Sequence, residues 1–165
     1  MPITYERIAS TTLNVAAANI TFSSIPATYT DLRLVFVGTG TASPGLYGRF
    51  NNDSTALYSF TEMFGNGSNV FSSRVANISY IDLESQTNLS PTTPQFKTID
   101  IFSYTGSTFK TYLYNSNDDR NGSGNSLFQA GLYRSTSAIN QISLYVNTST
   151  IAVGSTASLY GIKAA

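Results

Sequence analysis

At 165 residues, with nine basic and nine acidic side chains, the chain is long enough for one domain with a sizeable core and carries no net charge. A neutral chain has no field to gather nucleic acid or steer an anionic substrate, and the absence of His and Cys excludes a Ser-His-Asp triad, a thiol nucleophile and the common zinc sites. Forty-four residues are Ser or Thr and 21 are Phe or Tyr, which suits pleated sheets with one face on a core and the other covered by small hydroxyls.

Residues 1–10 hold one Arg and no apolar block, so no signal or transit peptide is expected there. Ile3, Tyr5 and Ile8 stand among polar residues in this stretch, either as an arm that pairs with a neighbour's sheet edge or as the first strand of the chain's own sandwich. Residues 12–18 contain three alanines but are broken by Asn and β-branched residues, which allows at most one helical turn. Ile20 and Phe22 form a short alternating pair before Pro26. Arg33, Val35 and Val37 then alternate with Leu32, Leu34 and Phe36. The Gly-rich residues 38–45 are followed by no Lys and open no helix, so they read as a hairpin connection and not as a phosphate cradle.

Further period-two runs cover residues 46–50, 58–64, 78–83, 96–104, 109–114, 127–133, 139–146 and 157–162. Residues 65–69 and 115–125 are rich in Gly, Asn, Ser and Asp and read as hairpin loops, the second with room for a longer mobile tip. Residues 85–94, polar and with two prolines, read as a surface crossing that changes sheets. The pattern predicts an all-β fold, a single antiparallel β-sandwich over residues 1–165, jelly-roll-like, with about nine to eleven strands. The apolar runs fall far short of the roughly 20 residues of a membrane helix, so a soluble protein with no membrane partner is expected.

Carboxylates are the remaining route to chemistry. Glu62, Asp82, Glu84 and Asp100 lie on or beside predicted strands, where a pair meeting across a sheet would resemble a glycosidase site. The plainer reading makes them solvent-face residues paired with Arg or Lys. Asn117, Asp119 and Asn121 alternate before Gly122 like the first half of a calcium loop, but Phe128 stands where the bidentate Glu is required, so a turn is expected and no metal. Tyr112 and Tyr114 share one face of a strand, with Leu113 on the other. They are candidate interface residues, as a glycan platform or, as preferred here, as the rim of the core or of a subunit contact.

Several segments carry a resemblance: Met1-Pro-Ile-Thr-Tyr-Glu-Arg-Ile-Ala-Ser10, Ile20-Thr-Phe-Ser-Ser-Ile-Pro26, Tyr29-Thr-Asp-Leu-Arg-Leu-Val35, Arg49-Phe-Asn-Asn-Asp53 and Gly154-Ser-Thr-Ala-Ser-Leu-Tyr-Gly-Ile-Lys163. Together the chain resembles small structural proteins of tailed bacteriophages, among them capsid decoration (cement) proteins and tail-associated β-sandwich modules. The resemblance implies a virion component that is not an enzyme. The expected partner is the major capsid protein, bound at the outer capsid surface after synthesis in the host cytoplasm. A symmetric homo-oligomer is expected, with a trimer favoured, and neither cofactor nor nucleic acid. The alternative is a tail or receptor-binding module that recognises host surface glycan through loops such as residues 115–125. The composition agrees with a packed array: Tyr is frequent, and only three Lys occur.

Overall fold

The computed structural model describes residues 5–84 and 88–163. Twelve strands follow in order: β1 (Tyr5–Thr12), β2 (Asn19–Phe22), β3 (Asp31–Gly38), β4 (Leu46–Phe50), β5 (Tyr58–Gly65), β6 (Val70–Ile78), β7 (Ile81–Asp82), β8 (Gln95–Ile101), β9 (Lys110–Asp119), β10 (Gly124–Tyr133), β11 (Ile142–Val146) and β12 (Thr156–Ile162). They form two antiparallel sheets. The large one has the order β1-β12-β3-β8-β9-β10-β5-β6 and the small one β2-β11-β4-β7. The all-β sandwich expected from the alternation is present, and no helix forms among the described residues. Thr12 ends β1, and residues 13–18 add an isolated bridge from Ala17 to Ile151.

The chain crosses repeatedly between layers. β1, β3, β8 and β12 lie side by side in the large sheet, and β2, β4, β7 and β11 make up the small one. Two hairpins, β5–β6 and β9–β10, extend the large sheet beyond this eight-strand frame. Residues 39–45 therefore close no hairpin, contrary to the reading of that glycine cluster. They lead from β3 in the large sheet to β4 in the small one, with Gly40 bridged to Ile151. Glycines permit such a switch as readily as a tight turn, and sequence composition does not separate the two. The stretch from β7 to β8 does change sheets as expected.

Each strand's alternation decides its buried face. β3 turns Leu32, Leu34 and Phe36 inward, β8 Ile99 and Ile101, and β12 Ala157 and Leu159. The small sheet answers with Ile20, Phe22, Leu46, Phe50, Ile81, Ile142 and Leu144. Full burial of such a side chain stabilises by about 1.5–3 kcal/mol, so this interlayer core dominates the fold. Tyrosines complete it at one end: Tyr58 and Tyr133 stack at 4.7 Å, and Phe50 meets Tyr133 edge-on at 5.5 Å.

Residues 115–125 are mostly strand, which corrects the expected loop. Asn121 and Gly122 both have positive φ (55° and 107°), the type I′ geometry that Asn-Gly favours, so the turn is confined to residues 120–123. β6 went unread because its exposed residues include apolar side chains pointing to both faces, leaving no clean period of two.

Candidate functional site

The residues singled out from the sequence do not form one surface. Tyr5 and Ile8 lie on β1, which pairs along its length with β12 of the same chain, from Tyr5 opposite Ile162 to Thr12 opposite Thr156. Residues 5–10 are thus a strand of their own sandwich and not an arm. Ile3 lies outside the described residues. Tyr5 is exposed and stacks on Tyr160 at 4.8 Å, whereas Ile8 is half-buried against the core.

Tyr112 and Tyr114 do share a face of β9, but it is the inner one, and both are buried. They offer nothing to a partner, since a tyrosine in phase with the core is large enough to fill it. The Tyr114 hydroxyl donates to the Leu83 carbonyl at 2.7 Å and lies 3.1 Å from the Lys97 ammonium, which also donates to Leu83 O and Ser116 Oγ. Burial pulls the Lys97 pKa down to about 8, partly opposed by the carboxylates of Asp118 and Asp82. Lys110 is likewise buried, donating to the carbonyls of Gly106 and Thr108. Two of the chain's three lysines are therefore internal cross-links, and Lys163 is the one left at the surface, beside Glu6.

The four candidate acids are dispersed. Asp100 forms a two-pronged pair with Arg33, at 2.5 and 2.8 Å, on the outer face of the large sheet, as the solvent-face reading expects. Asp82 and Glu84 belong to the small sheet's outer side. Glu62 departs from that reading. It follows Tyr58 and Phe60 in the inward phase of β5 and is buried, accepting from Ser73 Oγ at 2.6 Å and from the Gln129 amide at 3.4 Å.

What the structure does assemble is an apolar outer face on the large sheet. Strand register places Val37, Phe96, Asn117, Ser126, Gly65 and Val70 in one row across β3, β8, β9, β10, β5 and β6. The adjoining row holds Val35, Thr98, Asn115, Phe128, Met63 and Ser72. Between them lies a groove of about 500 Å³, with Asn115, Asn117 and Ser126 along the middle strands and Phe96 on one flank opposite Phe128, Met63 and Val70 on the other. Phe96 is 46% exposed, Phe128 45% and Met63 56%; single exposed apolar residues are ordinary, but here Phe128 and Met63 are cross-strand neighbours and Phe96 faces them across the polar middle strands. The sequence signal was present: Phe96 lies out of phase with the inward Gln95 and Lys97. A polar residue facing in beside an aromatic facing out reads, in a count of apolar residues, like any other strand.

No family model matches this chain, and neither a curated protein nor a solved structure matches it.

Proposed function

We propose that this chain is a structural protein of a tailed-phage virion, a capsid decoration protein that binds the outer surface of the shell and reinforces the junctions between capsid subunits. The observation that carries the reading is the apolar groove bounded by Phe96, Phe128, Met63 and Val70 on the large sheet. Covering a half-exposed aromatic stabilises an interface by about 1–2 kcal/mol, and a repeated array multiplies a modest patch into firm attachment. Because the protein binds only the assembled shell, each copy raises the free energy needed to separate the capsomers it bridges. The strand orders β1-β12-β3-β8 and β2-β11-β4-β7 support a jelly roll elaborated by two hairpins, the frame of many capsid-associated domains.

A symmetric oligomer, favoured as a trimer, is part of the same proposal. The large sheet's two edges, β1 and β6, are different surfaces, and a head-to-tail pairing of unlike edges forms a ring where the rotation between copies closes. β6 carries one charge, Arg74, and no Pro, and its register irregularity lies at the Asn77 end, so residues 70–76 form a regular free edge open to pairing. The test is imaging of intact particles with the protein labelled. Label distributed over the shell supports the proposal, and label confined to the tail contradicts it.

A further inference from the structure

The outer face of the small sheet differs chemically from that of the large one. Register aligns Asn19, Tyr145, Tyr47 and Asp82 in a straight row across β2, β11, β4 and β7, about 14 Å long at ordinary strand spacing. The next row holds Thr21, Ser143 and Arg49. The ring of Tyr47 meets Tyr80 edge-on at 4.8 Å and Tyr145 at 5.6 Å, and the Arg49 guanidinium lies 4.7 Å from the centre of the Tyr145 ring. Beside Tyr145 a cleft of about 270 Å³ is lined by Asn19, Thr21, Arg49, Asn52, Gln141 and Ser143.

These groups are held in place. The Tyr47 hydroxyl donates to Glu84 Oε2 at 2.6 Å and accepts from Asn147 Nδ2 at 3.3 Å, while Asn147 Oδ1 accepts from the Gly45 backbone N–H at 3.1 Å. A Cβ at Gly45 would lie 1.6 Å from Glu84 Oε2, so a larger residue there would displace the carboxylate that holds Tyr47. Burial raises the pKa values of Tyr47, Tyr80 and Tyr145, which keeps all three protonated at neutral pH, and the Tyr47 proton is the one given to Glu84.

From this arrangement we infer that the outer face of the small sheet is a binding site for a neutral, pyranose-containing oligosaccharide. Tyrosine rings suit the C–H faces of a sugar ring, while amides, hydroxyls and carboxylates suit its hydroxyl edge. The contrast between the two sheets selects this occupant. The strongly exposed aliphatic and Phe side chains lie elsewhere, among them Val37, Met63, Phe96 and Phe128, so a protein partner has the better surface on the opposite side. Asp82 and Glu84 at one end of the row outnumber Arg49 beside Tyr145, so the face has no excess of positive charge to attract an acidic glycan or a nucleic acid strand. The inference is independent of where on a virion the protein sits.

The test is a glycan array of neutral hexose, 6-deoxyhexose and uronate-containing oligosaccharides probed with the full chain, followed by titration calorimetry on the best neutral ligand. Neutral oligosaccharides should be retained, and Tyr145→Ala should weaken the titrated affinity by about tenfold or more, as loss of one stacking platform does. Phe128→Ser, on the opposite face, should leave the affinity unchanged. Should Tyr145→Ala unfold, the milder Gln141→Ala, at the cleft rim, should still weaken binding severalfold. Retention of no glycan, retention of acidic glycans alone, or an affinity that neither Tyr145→Ala nor Gln141→Ala lowers would overturn the inference.

Discussion

The ring of Tyr112 lies against the backbone of Gly131, its cross-strand partner in the β9–β10 hairpin, so closely that a Cβ on residue 131 would fall 1.9 Å from Cζ of the ring. The glycine leaves a gap in the inner face of β10 that the tyrosine fills, a way of keeping a weak strand residue covered. Gly131→Ala should therefore destabilise the protein by about 1–3 kcal/mol, the usual cost of overpacking. The loss should shrink when Tyr112 is also replaced by Leu, because the ring is what the methyl meets. Urea denaturation of the two single variants and the double variant checks this coupling.

Two buried tyrosines predict opposite outcomes on loss of the hydroxyl. Tyr58 accepts from the Phe50 backbone N–H at 3.0 Å, at the strand end that leads into the turn at Asn51 and Asn52, both of positive φ. Tyr58→Phe strands that buried amide and should cost about 1–3 kcal/mol. The Tyr112 hydroxyl, in contrast, has no hydrogen-bond partner among the described residues. Tyr112→Phe should be neutral or stabilising by up to about 1 kcal/mol, since the desolvated hydroxyl contributes no bond. Thermal melts of the two variants side by side distinguish the roles.

Lys97 predicts a pH dependence of stability. Its pKa is lowered by burial to about 8 in the folded chain, whereas an unfolded lysine holds its proton to about 10.4. Between those values the unfolded chain binds more protons, so this residue makes stability rise as pH increases from about 8 to about 10. Below pH 8 the lysine is charged in both states and the burial penalty, on the order of 3 kcal/mol, is present in full. Lys97→Met should stabilise the protein at pH 7 by about 1–2 kcal/mol, because Tyr114 still donates to Leu83 O after the ammonium is gone. That advantage should vanish toward pH 10. An advantage that stays constant from pH 7 to pH 10 would contradict the assignment.

The layer architecture was legible because core strands such as β3 and β8 obey a strict period of two, and alternation alone assigns their faces. Facing was harder to read than strand. Tyr112 and Tyr114 read as a glycan platform or as the rim of the core or of a subunit contact, and their phase in β9 puts them inside the core. Glu62 reads as a solvent-face acid from its type, and its phase again puts it inside with Ser73 as a partner, as the phase of Lys97 puts that residue beside Tyr114. The tyrosine row on the small sheet was out of reach, because Tyr47, Tyr80 and Tyr145 are scattered over three segments that only the crossings between layers bring together.

The apolar groove makes its own prediction about the free protein. Phe96→Ser with Phe128→Ser removes two flanks of the groove without touching the interior, so the thermal transition should move little. Sedimentation velocity should show the wild-type chain of 17.8 kDa and the double variant in the same state of association, because the β1 and β6 edges and not the groove are assigned to the oligomer.

Pelleting of the purified protein with emptied tailed-phage capsids tests assembly through this face most directly. The account predicts that the wild-type chain sediments with the shells, that Phe96→Ser with Phe128→Ser stays in the supernatant, and that Tyr145→Ala still pellets. Equal pelleting of wild type and the Phe96, Phe128 double variant, or no pelleting of the wild type, would contradict it.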